Sequence, residues 1–443
     1  MNTSKRVVAA LAALTLVTAA CGGDDDDAEE PAAEEPAAEE PAAEEPAAED
    51  TGEETAGEEP AAEEPSADEP AGDELDLGRS VIIASIEPMT GSNILTQYIN
   101  GVRMAVDDIN AAGGIGGYPI EFKEYDNKLD AQAAVSAAQL AVSDGADIVI
   151  GMPASITNNA AAPIIQDAGI VYLNAGVSTP IALDEPLGGE RTFRIMTPMP
   201  ELIHAISQYT VNELAPDKVG LMGLNIDYGQ NALPQFQEVF DAAGIETTDQ
   251  RLYPFDVTDV TADILEMQGT DAIVDWSYPN QMALGLRTAI QNGLGDIPYI
   301  GGPSASIVNS RELVPADAQK NLYGAQSCDP RTDSREYVQE WAQRYEETFD
   351  EAPDYSSPSV YDAVFFAKKA IETAGSLDHG EIAAAMAEIT LDEGTMCATS
   401  YSADERNQLS HEAVVMSFVD GVPVQRQQFT AADLEGQGRV QGG

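Results

Sequence analysis

From residue 81 onward, short continuous apolar runs alternate with longer stretches whose apolar residues recur every three or four positions, the pattern of strands followed by amphipathic helices. A run over 81–85 predicts a strand. Ile99, Val102, Val106 and Ile109 then fall on one helical face, and Gly113 and Gly114 stop that helix. Strands are expected over 120–125, 147–150 and 170–173, separated by an Ala-rich helix over 130–143 and by another ending near Ala168. Such alternation folds as a parallel sheet with helices on both faces. After Pro198 and Pro200 the pattern restarts. Strands over 219–223, 248–253, 272–275 and 299–301 alternate with helices, one carrying Leu233, Phe236 and Phe240 on a single face. Two sheets in sequence predict two lobes, in keeping with the 367 residues from 77 to 443, more than one core usually serves.

The end of the chain changes character. Two helices are expected beyond Asp329, one with Val338, Trp341 and Tyr345 in register and one over 359–373. Strands are then expected over 395–400, 414–419 and 422–429, the last two joined by a hairpin turn at Asp420 and Gly421. If the helices complete the first lobe and the strands return to the second, the connections between the lobes form a hinge. The division expected is lobe 1 at 79–198 with 330–392, lobe 2 at 199–329 with 393–431, and a flexible tail at 432–443.

The N-terminal segment is of another kind. Lys5 and Arg6 precede an uncharged apolar run over 7–20, which predicts a signal peptide over 1–20. Thr18-Ala19-Ala20-Cys21 resembles a bacterial lipobox, in which Cys21 would be acylated and become the mature N-terminus. From 22 to 76 the chain has 25 acidic residues, no Lys or Arg, and a Pro-Ala-Ala-Glu-Glu repeat starting at Pro31, Pro36 and Pro41. With almost no large apolar side chains and strong self-repulsion, residues 21–78 are expected to form a disordered linker. Removing Lys5, Arg6 and these 25 acids from the totals of 21 and 77 leaves 19 basic against 52 acidic residues, a net of −33. That surface disfavours nucleic acid and anionic membrane as partners.

Candidate chemistry is sparse. His204, His379 and His411 stand alone and are expected at the surface, so a metal cluster or His-based triad has little material. The run from Gly113 to Gly117 follows a helix, unlike a phosphate loop, which follows a strand. No Gly-x-Ser-x-Gly elbow occurs, and no pair of acids stands out for acid–base work. The sequence therefore points to a binding protein, with neither enzymatic activity nor cofactor nor metal expected. Cys328 and Cys397 remain once Cys21 is assigned to lipid; in an exported protein they form either a disulfide or two buried thiols. In open parallel sheets ligands bind beyond the carboxyl ends of strands. The loops there are Gly151-Met152-Pro153-Ala154-Ser155-Ile156-Thr157 and Asn174-Ala175-Gly176-Val177-Ser178-Thr179-Pro180, each rich in hydroxyls and backbone N–H groups near a helix start.

Several stretches resemble one family. Asn100-Gly101 to Val106, Asp108 to Ile115, Tyr125-Asp126, Phe193-Arg194, Asp227-Tyr228-Gly229 and Tyr361-Asp362-Ala363 are similar to branched-chain (leucine, isoleucine, valine) amino acid binding proteins, the type I periplasmic binding proteins that feed ABC importers. The resemblance runs from about Arg79 to Phe429. It implies an α/β fold of two lobes, each a parallel sheet flanked by helices, joined by a three-crossover hinge. Carried over by position, Ala154, Ser155, Val177 (through its backbone) and Ser178 would hold a ligand's carboxylate and part of its ammonium. Tyr228 and Tyr278 would close on it from the second lobe. The family's amino-acid binders place an acid after the strand corresponding to 299–301, whereas this chain has Gly302-Pro303-Ser304. Either Glu87 or Asp275 substitutes as the ammonium's partner, or the ligand is an amide, a urea-like compound or a carboxylic acid. The function expected is that of a monomeric, lipid-anchored extracytoplasmic solute-binding protein that closes two lobes over a small polar ligand, a branched-chain or other amino acid first and an amide, urea-like compound or carboxylate as the alternative. The permease subunits of an ABC importer would recognise it, with a ligand-sensing module for a signalling partner as the rival.

Overall fold

The computed structural model describes residues 75–91, 93–178 and 188–434; Cys21, the leader and the acidic stretch before Leu75 lie outside the described residues. The first sheet contains β1 (Val81–Glu87), β2 (Ile120–Asp126), β3 (Ile148–Gly151), β4 (Val171–Asn174) and β5 (Thr192–Arg194). Their order is β2-β1-β3-β4-β5, and every pair is parallel. Helices α1 (Thr96–Ala111), α2 (Ala131–Ser143) and α3 (Ser155–Asp167) make the crossovers. Successive strand residues face opposite sides, so Ile148, Ile150, Val171 and Leu173 enter one core while Val149 and Tyr172 enter another. The second core is lined by Ala134, Ala137, Ala138 and Ala141 of α2 and by Ile165 of α3. Small side chains let those helices lie close to the sheet.

The second lobe starts with α4 (Met199–Tyr209) and β6 (Lys218–Leu224), followed by α5 (Asp227–Ala243), β7 (Glu246–Thr247), β8 (Arg251–Tyr253), α6 (Thr261–Glu266) and β9 (Ala272–Trp276). Then come α7 (Pro279–Gln291), β10 (Tyr299–Gly301), α8 (Val308–Arg311) and β11 (Leu322–Gln326). The chain next returns to the first lobe through α9 (Glu336–Phe349), α10 (Ser356–Ala374) and α11 (His379–Glu388). Gly101 is what lets α10 approach α1: a Cβ there would sit 2.3 Å from the Ser357 carbonyl oxygen. Across the same contact the Tyr361 hydroxyl donates to Asp108 at 2.7 Å, and Arg344 pairs with Asp108. After β12 (Thr390–Leu391) and β13 (Tyr401–Ser402), β14 (Ala413–Val419) and β15 (Val422–Phe429) rejoin the second sheet, and α12 (Ala431–Leu434) follows. That sheet runs β15-β14-β11-β10-β9-β6-β7, with β8 also beside β6; it is parallel except where β14 and β15 add an antiparallel edge.

Four differences from the sequence reading have physical causes. Of the strand expected over 248–253 only β8 forms, and β7 stops before it at Thr247, because the Thr248 hydroxyl accepts the Leu221 N–H at 3.0 Å where a ladder carbonyl would otherwise stand. No strand forms over 395–400. There the Met396 and Cys397 N–H groups donate to the Asp362 carboxylate at 2.8 and 2.9 Å, and Arg335 donates to the carbonyls of Thr395 and Cys397, so side chains take the bonds a neighbouring strand would need. Residues 401–409 stay with the first lobe: β13 pairs with β12, and Leu409 N–H donates to the Arg194 carbonyl. The last passage between lobes thus comes after Leu409, later than 393. At the end, Leu434 is buried in α12, where a tail from 432 was expected; 435–443 lie outside the described residues.

Thr197 joins the three passages between the lobes. It lies on the first, its N–H donates to the Ser327 hydroxyl on the second at 3.1 Å, and its own hydroxyl donates to the Glu412 carbonyl on the third. Beside it, Gln408 donates to the carbonyls of Met196 and Ser410, both at 2.7 Å. His411 contacts Glu201 of α4 at 2.8 Å and Asp404 of the first-lobe loop at 3.6 Å, so this half-buried residue forms an ionic bridge where a lone surface histidine is expected from sequence. The two carboxylates raise its pKa to about 9 against the opposing effect of burial.

Candidate functional site

The loops named from sequence converge on a cleft of about 490 Å³, open mouth included, between the carboxyl ends of the two sheets. Gly151 (φ +126°) starts the first loop; a Cβ there would lie 2.4 Å from Glu87 Oε1 and 2.8 Å from the Ile86 carbonyl oxygen, so only glycine lets the backbone turn here. Ala154 then caps α3 without a side-chain bond of its own; its carbonyl accepts the Thr157 N–H at 3.2 Å, and the Ser155 and Ile156 N–H groups point at the Tyr278 hydroxyl. Asn174 shapes the second loop. Its Oδ1 accepts the Gly176 N–H at 2.6 Å, while its Nδ2 is held by Asn158, which also takes the Tyr172 hydroxyl. The Val177 carbonyl accepts the Met199 N–H at 2.7 Å.

Ala154, Val177, Ser178, Tyr228 and Tyr278 all line the cleft. Ser155 sits beside it, 3.4 Å from the Tyr278 hydroxyl, a contact that crosses from one lobe to the other. Tyr228 lies in the first turn of α5, and its ring packs on Tyr278 and Trp276 at centroid distances of 5.4 and 5.6 Å. Burial pushes the Tyr278 phenol up to about 12 and that of Tyr228 well above its ordinary value, so both are hydroxyl donors at neutral pH.

Glu87 and Asp275 are not among the cleft's lining residues. Glu87 is fully buried at the end of β1 beside Ser85, and burial pushes its carboxyl well above the usual range. Asp275 lies under the second lobe's half of the site and accepts the hydroxyls of Tyr253 and Tyr299, each at 2.5 Å; burial raises it to about 6 although those donors favour the charged form. Among the described lining residues there is no carboxylate, ammonium, guanidinium or imidazole. Cys328 and Cys397 are joined as a disulfide with a Cα–Cα distance of 5.4 Å.

Four polar lining residues are not among the ligand contacts expected from sequence: Asn93, Tyr98, Ser304 and Tyr355. Tyr98 projects from α1 and Tyr355 precedes α10, and their hydroxyls meet at 3.1 Å inside the wall. Tyr98 was legible in part, lying one position before Ile99 on a helix entering the core. Tyr355 was not, because nothing local says that a helix begun there returns to the first lobe's mouth. Among the described residues no group of three or more His, Cys, Asp or Glu could hold a metal, and no helix is long and apolar enough to cross a membrane.

Residues 80–422 match the family model described as periplasmic binding protein. The chain belongs to that family. A Leu/Ile/Val-binding protein homolog of Brucella abortus is 27% identical over 236 residues, which cover 50% of this chain and 58% of that protein. The chain thus spans a little over half the length of the curated relative. A leucine-binding protein of Thermotoga maritima superposes with a TM-score of 0.72 at 22% identity, covering 80% of this chain and 99% of that one. An ABC transporter solute-binding protein of R. palustris, in complex with benzoate, gives a TM-score of 0.70 at 16% identity over 79% and 96% of the two chains. Likeness at these identities establishes the type I periplasmic binding fold for this member of the family.

Proposed function

We propose that this protein is the solute-binding component of an ABC importer, outside the cytoplasm, and that it closes its two lobes over one small ligand without transforming it. The observation that carries this reading is the cleft itself: Ala154, Val177 and Ser178 face it from one lobe, and Tyr228 and Tyr278 from the other. A ligand held from both sides binds the closed form better, and only such differential affinity shifts the balance between open and closed. Permease subunits that recognise the closed form would then receive loaded protein selectively. Cys21 as the lipid site, and the acidic stretch after it as a spacer, belong to the same proposal and rest on sequence alone.

For the ligand we propose a small carboxylate or amide without an ammonium group. The α3 N-terminus, Ser155 and Ser178 supply donors for an oxygen. An ammonium would meet no carboxylate among the described lining residues, and burying it unpaired would cost several kcal/mol. A branched-chain amino acid is the second reading, favoured by the leucine-binding and Leu/Ile/Val-binding relatives. Thermal shift with leucine, isoleucine, valine, benzoate, small aliphatic acids, amides and urea tests both, since a ligand at ~100 times Kd adds roughly 2.7 kcal/mol. Stabilisation by acids or amides alone supports the first reading; stabilisation by amino acids alone transfers it to the second; stabilisation by none rejects the panel's chemistry.

A further inference from the structure

The lobes touch at places that are not ligand contacts. On α3, Ser155 and Asn159 lie four residues apart, on the same face of the helix. Ser155 meets Tyr278 within the site, while Asn159 Nδ2 donates to Asp227 Oδ2 at 3.0 Å. Asp227 is the first residue of α5, immediately before Tyr228, and its side chain is exposed; neither Asn159 nor Asp227 lines the cleft. A third bond lies nearby, where Asn93 Oδ1 accepts the Asn280 N–H at 3.3 Å. That N–H belongs to the first turn of α7, whose own N-cap residue, Tyr278, makes no side-chain cap bond. The first lobe thus supplies a cap to a helix of the second, and separating the lobes removes it.

We propose that Asn159 and Asp227 form a latch, a positioning pair that sets the open–closed balance and hence the affinity for every ligand alike, without touching any of them. The inference rests on the two-lobe closure proposed above. The bond pairs an amide donor with a carboxylate, the stronger class of neutral-to-charged hydrogen bond. It exists only while the lobes are together. Because apparent affinity scales with the fraction of closed protein, losing the bond should weaken binding by roughly three- to tenfold where the closed form is the minor one.

Three variants test the latch in the full-length protein by hydrogen exchange followed by mass spectrometry. Asn159→Asp places two carboxylates face to face; Asp227→Asn removes the charge; the two together exchange the roles of donor and acceptor and rebuild the bond. With Asn159→Asp, peptides at the rim, 93–97 and 277–283, should exchange several-fold faster, while β3 and β9 keep their protection. The double variant should return the rim to the wild-type rate. A merely structural role for Asn159 would loosen β3 as well, and would not be rescued by Asp227→Asn; either result overturns the latch, as does an unchanged rim in Asn159→Asp. Adding leucine and benzoate separately to wild type checks the underlying reading. Rim protection that follows the variants but ignores every compound in the thermal-shift panel sinks the ligand reading and leaves the latch standing. Protection that follows a compound but not the variants does the reverse.

Discussion

Breaking the Cys328–Cys397 bond should cost stability while leaving ligand binding intact, because both ends of the bond move with one lobe. Cys328 follows β11 where the chain has just left the second sheet, and it lies beside the Tyr355 carbonyl before α10. Cys397 sits in the loop that Asp362 holds by two N–H bonds, in the segment that stays with the first lobe. The two residues are 69 apart in sequence. Closing a loop of about 70 residues in the unfolded chain corresponds to roughly 4 kcal/mol on the chain-entropy account. Replacing both cysteines by alanine should therefore lower the free energy of unfolding by up to about 4 kcal/mol, measured by urea denaturation with linear extrapolation at equal m-values. Affinity for the best stabilising compound should stay within about twofold. A stability loss below about 1 kcal/mol, or two free thiols titrating in denatured, unreduced wild type, would refute the entropic argument. A large drop in affinity would show instead that the bond spans the moving parts.

Three further outcomes are expected. Ser155→Ala should weaken a carboxylate ligand by about tenfold, the effect of one hydrogen bond to a charged group, as read by calorimetric titration; unchanged affinity would remove Ser155 from the site. Gly151→Ala should destabilise the first lobe by roughly 2–4 kcal/mol and abolish binding, since its Cβ would collide with both Glu87 and the Ile86 backbone; a variant with normal stability and binding would mean that the loop can relax. The bridge made by His411 has a raised pKa, so its contribution is fully present below pH 6.5 and disappears as pH climbs to about 9. Wild type should lose on the order of 2 kcal/mol across that window by urea unfolding, and His411→Asn should flatten the curve; equal slopes in both proteins would dismiss the bridge.

The strand and helix alternation was readable because buried parallel strands are nearly continuous apolar runs and their helices carry a 3.6-residue stripe. Residues 148–151, 171–174 and 272–276 are buried throughout, and their sequence pattern says so. Short edge elements were not readable. β5 has three residues, and β12 and β13 have two each, too few for any period to emerge. β11 went unnoticed because Gly324 interrupts its apolar run. The segment around Cys397 looked like a strand because sequence cannot reveal that Asp362 and Arg335, tens of residues away, would take its backbone bonds.

The same contrast holds for the site. Ala154, Val177, Ser178 and Tyr278 follow strand ends and Tyr228 lies in the first turn of the helix after one, so topology alone directs them to the cleft. Tyr98 and Tyr355 arrive from helices that meet only in three dimensions, and no local signal joins residues 257 positions apart. The acids Glu87 and Asp275 also end strands, yet each is withdrawn beneath the loops, one against Ser85 and one between two tyrosine hydroxyls. A charge at a strand end can serve the interior as readily as the cleft, and composition does not distinguish the two.

The claim on which the account depends is that ligand lies between the lobes and is held by both. A crystal structure of the protein grown with the strongest stabiliser from the thermal-shift panel tests it most directly. The account predicts density for that compound in contact with Ser178 and the α3 N-terminus on one side and with Tyr228 or Tyr278 on the other. Density for the same compound bound to a single lobe, or anywhere outside this cleft, would contradict it.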